Sequence, residues 1–198
     1  MAAIRSGRQI EYLSLAWTSL EAIAGIGAGV LAGSIALIGF GADSVIEMAS
    51  SAILLWRLNH ESGERRERTA QRLVGVCFFL LALYVGWEAI ELLVKRQPPA
   101  VSYFGIIFSA LCLIVMPLLA RAKRRIAARI GSGTMEADSR QSAICSYLAA
   151  ILLCGLALNA LFGWWWSDPL AGLVIVIYAI AEGRSAWRDA GKPDPIST

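Results

Sequence analysis

The chain has 198 residues, 57% of them hydrophobic and 17% charged, with a mean hydropathy of +0.60. Soluble domains of this size carry nearer a quarter charged residues and interrupt their apolar positions every few residues, so a soluble enzyme or binding domain is excluded. The net charge of +3 does not imply nucleic acid as a partner, because the basic residues stand beside apolar runs and act as topology signals.

Those runs reach the ~20 residues that a helix needs to cross a bilayer. The first extends from about Glu11 to Leu31. Glu21 interrupts it, and no cleavage site follows, so it reads as a retained helix and not a signal peptide. Gly33–Ser34 forms a tight turn into the second span, which ends near Trp56–Arg57, ahead of a charged loop containing His60 and "ERRERTAQR". That loop reads as a hydrated face able to touch anionic lipid. The third span covers about Leu73 to Val94 and is closed by Lys95, Arg96 and Pro98–Pro99. The fourth covers about Val101 to Ala120, before the loop "RAKRRIAARIGSG". A fifth runs from near Glu136 to Phe162, and Ser167–Asp168–Pro169 starts a sixth that ends near Gly183.

The expected fold is therefore all-α, a polytopic membrane protein of six transmembrane helices. With the N-terminus inside, one side holds Arg5, Arg8, Arg57, Arg65, Arg66, Arg68, Arg72, Arg121, Lys123, Arg124, Arg125, Arg129, Arg140, Arg184, Arg188 and Lys192. Only Lys95 and Arg96 fall on the other, so both termini are expected in the cytoplasm. Trp164–Trp166 on the outer side, with Trp56 and Trp187 on the inner, read as interfacial belts. Residues 1–10 and 188–198 are expected as short cytoplasmic tails around a six-helix transport domain at 11–187, and no soluble C-terminal domain is expected. The compact chain suits a bacterial inner membrane. Gly25, Gly29 and Gly33 recur every fourth residue and let the first helix approach its neighbours closely.

Ionisable residues inside a bilayer cost about 2.5–3.5 kcal/mol each on insertion scales and need a partner or a purpose. Asp43 and Glu47 straddle the middle of the second span, one turn apart on one face. Arg57, the nearest basic residue of that helix, is ~15 Å away along the axis. Protons, hydrogen-bond donors or an external cation must satisfy the pair. Gln141 and Cys145 share a face of the fifth span, at roughly the depth of Glu47. A thiolate, two carboxylates and an amide oxygen make a four-ligand set of the kind zinc accepts. Cys145 alone would read as a small packing residue; Cys77, Cys112 and Cys154 keep that reading, with no acidic partner at the right spacing. The four cysteines show no disulfide or zinc-finger spacing. Glu21 is open between a proton relay and a partner for a neighbouring helix. Glu88 and Glu91 are expected at the interface, Asp168 as a helix cap, Asn159 as an interhelix donor and His60 in solvent.

"GSIALIGFGADSVIEMASSAILLWR" resembles the second helix of the cation diffusion facilitators, and "EADSRQSAICSYLAAILLCGLALNALFGWWWSDPLAGLVIVIYAIAEG" is similar to their fifth and sixth helices. The resemblance places the metal-binding pair of the second helix on Asp43 and Glu47, and that of the fifth on Gln141 and Cys145, where His or Asp followed by Asp is usual. It implies transport of a divalent metal and a homodimer, here held by membrane helices and short tails. Replacing an ionised ligand with sulfur favours Zn²⁺ or Cd²⁺, then Co²⁺, over Mg²⁺ or Ca²⁺.

The function expected is export of a divalent transition metal in exchange for protons by alternating access, with the metal as cargo and no cofactor. A proton-coupled exporter of organic cations and a non-transporting membrane scaffold with a degenerate metal site are the alternatives. No nucleophile–base pair, phosphate loop or zinc-protease motif appears, so an enzyme is not expected.

Overall fold

The computed structural model describes residues 2–59, 64–130 and 133–189. His60, Lys192 and the rest of 190–198 lie outside the described residues, as do the side chains of Trp56 and of residues 64–71. Six α-helices follow in order: α1 (Ala2–Ala32), α2 (Ile35–Asn59), α3 (Glu64–Lys95), α4 (Tyr103–Ile130), α5 (Gly133–Phe162) and α6 (Ser167–Asp189). No strand occurs among the described residues. Five helices contain stretches long and apolar enough to cross a membrane: Gln9–Ala32, Arg72–Lys95, Tyr103–Arg129, Asp138–Phe162 and Ser167–Arg188. The α2 helix, whose side chains are described only as far as Ala49, runs among them.

Helices α3 and α4 are longer than the hydropathy pattern predicts. Segments expected as loops, residues 64–72 and 121–130, continue as helix. Apolar runs mark only the part suited to lipid, whereas Arg, Glu, Ala, Lys and Gln propagate a helix well into water.

Helix α2 is the central element, packed against α1, α3, α5 and α6; α1 and α4, α4 and α5, and α3 and α6 form further pairs around it. The α1–α2 contact is made through glycine. A Cβ on Gly25 would lie 2.9 Å from Gly41 Cα, and one on Gly29 would lie 2.7 Å from Ile38 N, so backbone meets backbone with no side chain between. Gly33 does not share this role. It adopts φ 64°, and Ser34 N donates to Gly29 O at 2.9 Å, the left-handed cap that ends α1 and turns the chain into α2.

The end of the bundle at this turn is tied together by polar contacts. Ser34 Oγ accepts from Leu37 N at 3.2 Å and donates to Asp168 Oδ1. Asp168 Oδ2 accepts from Ile35 N at 3.0 Å. Asp168 is thus a cap, but for α2 instead of its own helix, and it places a carboxylate on the positive end of the α2 dipole. Asn159 bonds to a loop and not a helix, donating to Pro99 O at 3.2 Å. Glu91 reaches the surface as expected, where it pairs with Lys95 and accepts from Trp87. Trp164, Trp166 and Trp187 are also exposed.

A different arrangement closes the opposite, basic end. Lys123, read from the sequence only as a topology signal beside the fourth span, is 0% exposed. The extension of α4 carries it back into the bundle, where its ammonium pairs with Asp138 of α5, lies 3.9 Å from Glu11 of α1 and donates to Ser142 Oγ at 3.2 Å.

Two stability tests follow from these contacts. Gly41→Leu puts a side chain where a Cβ would already sit 2.6 Å from Ile26 N and is expected to cost about 1–3 kcal/mol by overpacking. Gly27→Ala, where a Cβ meets nothing within 4 Å, should be neutral or slightly stabilising; thermal unfolding in detergent compares the two. Lys123→Met leaves buried carboxylates unpaired, an expected loss of about 3–5 kcal/mol. Adding Asp138→Asn should restore part of the melting temperature, and no recovery would count against the ion pair as the cause.

Candidate metal centre

Asp43 and Glu47 follow the Ser34 cap by nine and thirteen residues, which puts them ~13 and ~20 Å along α2. Both face the protein interior, at 1% and 3% exposure. None of their four carboxylate oxygens has a hydrogen-bond partner. Most buried polar atoms in folded proteins are paired, so four orphaned acceptors on one helix face are an exceptional concentration of unmet demand.

Cys145 of α5 is buried among Phe40, Met116, Leu148 and Ala149, and its thiol lies beside the Glu47 carboxylate without meeting strict hydrogen-bond geometry. The expected pairing of α2 with α5 at this depth is present for these two residues. Gln141 is oriented by α6: its Nε2 donates to Tyr178 Oη at 2.7 Å. That commits the NH₂ group and leaves the carbonyl oxygen as the group able to ligate a cation. Among the described residues, no three His, Cys, Asp or Glu side chains converge closely enough to hold a metal ion as they stand. The candidate ligands share a region without forming a closed cage.

Glu21 of α1 is fully buried. Its Oε1 accepts from Trp17 Nε1 of its own helix at 2.7 Å, and its Oε2 has no partner. The Cys112 thiol of α4 stands beside it, so Cys112, which has no acidic partner at the right spacing in the sequence, has an acidic neighbour in space. That neighbour lies on another helix and cannot be found by spacing along one segment. Cys77 and Cys154, read as packing residues, are exposed on the bundle surface.

Three further residues were not singled out. Glu182 of α6 adds negative charge near Asp43, and Tyr178 holds Gln141. Lys123, counted before only as a topology signal, is near enough to Glu47 to act on its charge. Its position was readable in principle. Met116, Ala120, Lys123 and Ala127 form one buried stripe at helical spacing, visible once α4 is continued past the apolar run.

The sequence model of the cation efflux transmembrane domain matches residues 12–192. Among curated relatives, Transmembrane protein 163 of Xenopus laevis is 31% identical over 184 residues, covering 91% of this chain and 66% of the relative. An uncharacterized transporter of Synechocystis is 25% identical over 174 residues, covering 83% and 56%. A cadmium, cobalt and zinc/H(+)-K(+) antiporter of Bacillus subtilis is 27% identical over 135 residues, covering 64% and 40%. The chain thus spans less than two thirds of the length of each. With a matched region that takes in α2 to α6, α1 from residue 12 onward and every residue of the centre described above, the chain belongs to the cation efflux family, whose members are the cation diffusion facilitators.

Proposed function

We propose that this protein exports a divalent transition metal, Zn²⁺ foremost and Cd²⁺ or Co²⁺ next, in exchange for protons. The observation that carries this reading is the α2 pair, Asp43 and Glu47, buried without a donor for any of their four oxygens. A divalent cation or protons satisfy such a pair in turn, which is what exchange requires. Cys145 supplies sulfur and Gln141 an amide oxygen, a mixed set that suits Zn²⁺ or Cd²⁺ better than Mg²⁺ or Ca²⁺. Glu21, buried near the pair, serves as a proton relay. All six helices, α2 included, span the bilayer with the basic end toward the cytoplasm, so the ion moves from that end to the Ser34 end.

A membrane protein that binds metal without moving it is the second reading, favoured by the absence of a closed cage among the described residues. Flux separates the two. In proteoliposomes, Zn²⁺ or Cd²⁺ uptake is expected for the wild-type chain and should fall by more than about tenfold in Asp43→Asn, as losing a ligand costs at least what losing its supporting shell does. Stoichiometric binding without flux would establish the second reading, and equal flux in Asp43→Asn would remove the pair from the mechanism.

Metal ligands bind in deprotonated form, so each proton displaced makes affinity rise by about tenfold per pH unit. Titration calorimetry with Cd²⁺ across a pH series is expected to show tightening as pH rises, with protons released to buffer. Affinity that is flat with pH would exclude proton exchange at these groups.

A further inference from the structure

At the basic end of the bundle, the terminal turns of α3, α5 and α6 mix acidic with basic residues, as Glu182 and Asp189 do around Arg184 and Arg188. Helix α4 does not: it has no Asp or Glu anywhere in its 28 residues. Its extension past the apolar run carries Arg121, Arg124, Arg125 and Arg129, all exposed. Among the described residues none of the four has an ion-pair partner. The row they stand on begins higher up the helix. Ile107, Leu111, Ile114 and Leu118 are exposed at 44–70%, and the steps of three and four residues that link them continue through Arg121 and Arg125. Residues so spaced share one face of a helix, and the buried Met116, Ala120, Lys123 and Ala127 occupy the other side.

From Tyr103 to Ala120 the helix rises ~27 Å, close to the ~30 Å hydrocarbon core of a bilayer. Arg121, Arg124 and Arg125 therefore lie within about one and a half turns of the boundary where acyl chains give way to headgroups. We propose that this face of α4 binds an anionic phospholipid of the leaflet at the basic end, its acyl chains along Ile114 and Leu118 and its phosphate held by Arg121, Arg124 and Arg125. Charge complementarity and depth commit the face to that occupant. Guanidinium groups pair with phosphate oxygens through two parallel hydrogen bonds, and the apolar row leading to them fits a phosphate that carries chains. Metal transport plays no part in this contact. The same turn also sends Lys123 inward to pair with Asp138 of α5, so it is held by a carboxylate on its inner side and by phosphate on its outer side.

Native mass spectrometry of the full chain, released from detergent holding phosphatidylglycerol and phosphatidylcholine with identical acyl chains, reads the preference between the two. The wild-type chain is expected to retain phosphatidylglycerol. The combined change Arg121→Gln, Arg124→Gln and Arg125→Gln should weaken that preference by about tenfold or more. Arg72→Gln, Arg184→Gln and Arg188→Gln together remove the same charge from exposed positions on α3 and α6 and should leave it unchanged. Inorganic phosphate added in excess should not displace the lipid; displacement would reveal a site for free anions and overturn the lipid assignment. An unchanged preference in the α4 variant, or an equal loss in both triple variants, also overturns it. A wild-type chain with no preference for phosphatidylglycerol does so without recourse to any variant.

Discussion

The organisation of this bundle follows from carboxyl groups buried on one face of α2 without a hydrogen-bond donor for any of their oxygens. A carboxylate taken out of water loses hydration that only hydrogen bonds, a counter-charge or a proton can replace. Asp43 and Glu47 have no hydrogen bonds, and they are fixed to the helix with neighbours on the most sides. The glycine contact with α1 brings backbone against backbone, so α2 has little freedom to turn its acidic face toward lipid. What remains to satisfy them is a proton or a cation.

The two ends of the bundle handle charge differently. At the Ser34 end, Asp168 is satisfied by a hydroxyl and by backbone donors of α2. At the basic end, Glu11 and Asp138 share the Lys123 ammonium. Between them lie Glu21, Asp43 and Glu47, and among the described residues Lys123 is the buried basic side chain of the whole interior. Positive charge is thus supplied by the protein at one level and withheld at the next. Beyond the tethered ammonium, none of the Asp43 and Glu47 carboxylate oxygens has a hydrogen-bond partner.

Much of this was legible from the chain alone. Six helices, the inward acidic pair and the partnership of Glu47 with Cys145 all follow from apolar run length and four-residue spacing, signals local to one or two segments. The reach of α3 and α4 was not, because hydropathy reports the lipid-facing length and helix propensity sets the rest. Lys123 was read only as a topology signal for that reason. Cys112 was passed over because its acidic neighbour comes from α1, and contacts between helices depend on register, which no single segment encodes. Gly33 shares the spacing of Gly25 and Gly29 but serves the turn, a distinction made by one positive φ angle.

Register also divides the buried acids and thiols between two helix pairs. The acids Glu21, Asp43 and Glu47 all stand on α1 and α2, which are held together by glycine contacts. Both buried thiols stand on α4 and α5, which pack extensively along their length. Each helix pair is bound more closely within itself than to the other. The contact that spans the divide at the basic end is Lys123 of α4 with Glu11 of α1. Separating the two helix pairs at that end would stretch this ion pair, while Lys123 keeps Asp138 on its own side. The weaker half of the lysine's attachment is the half that has to give, at 3.9 Å, a separation at which attraction persists but no hydrogen bond must be broken. Separation of the two helix pairs at this end would therefore leave Lys123 paired with Asp138.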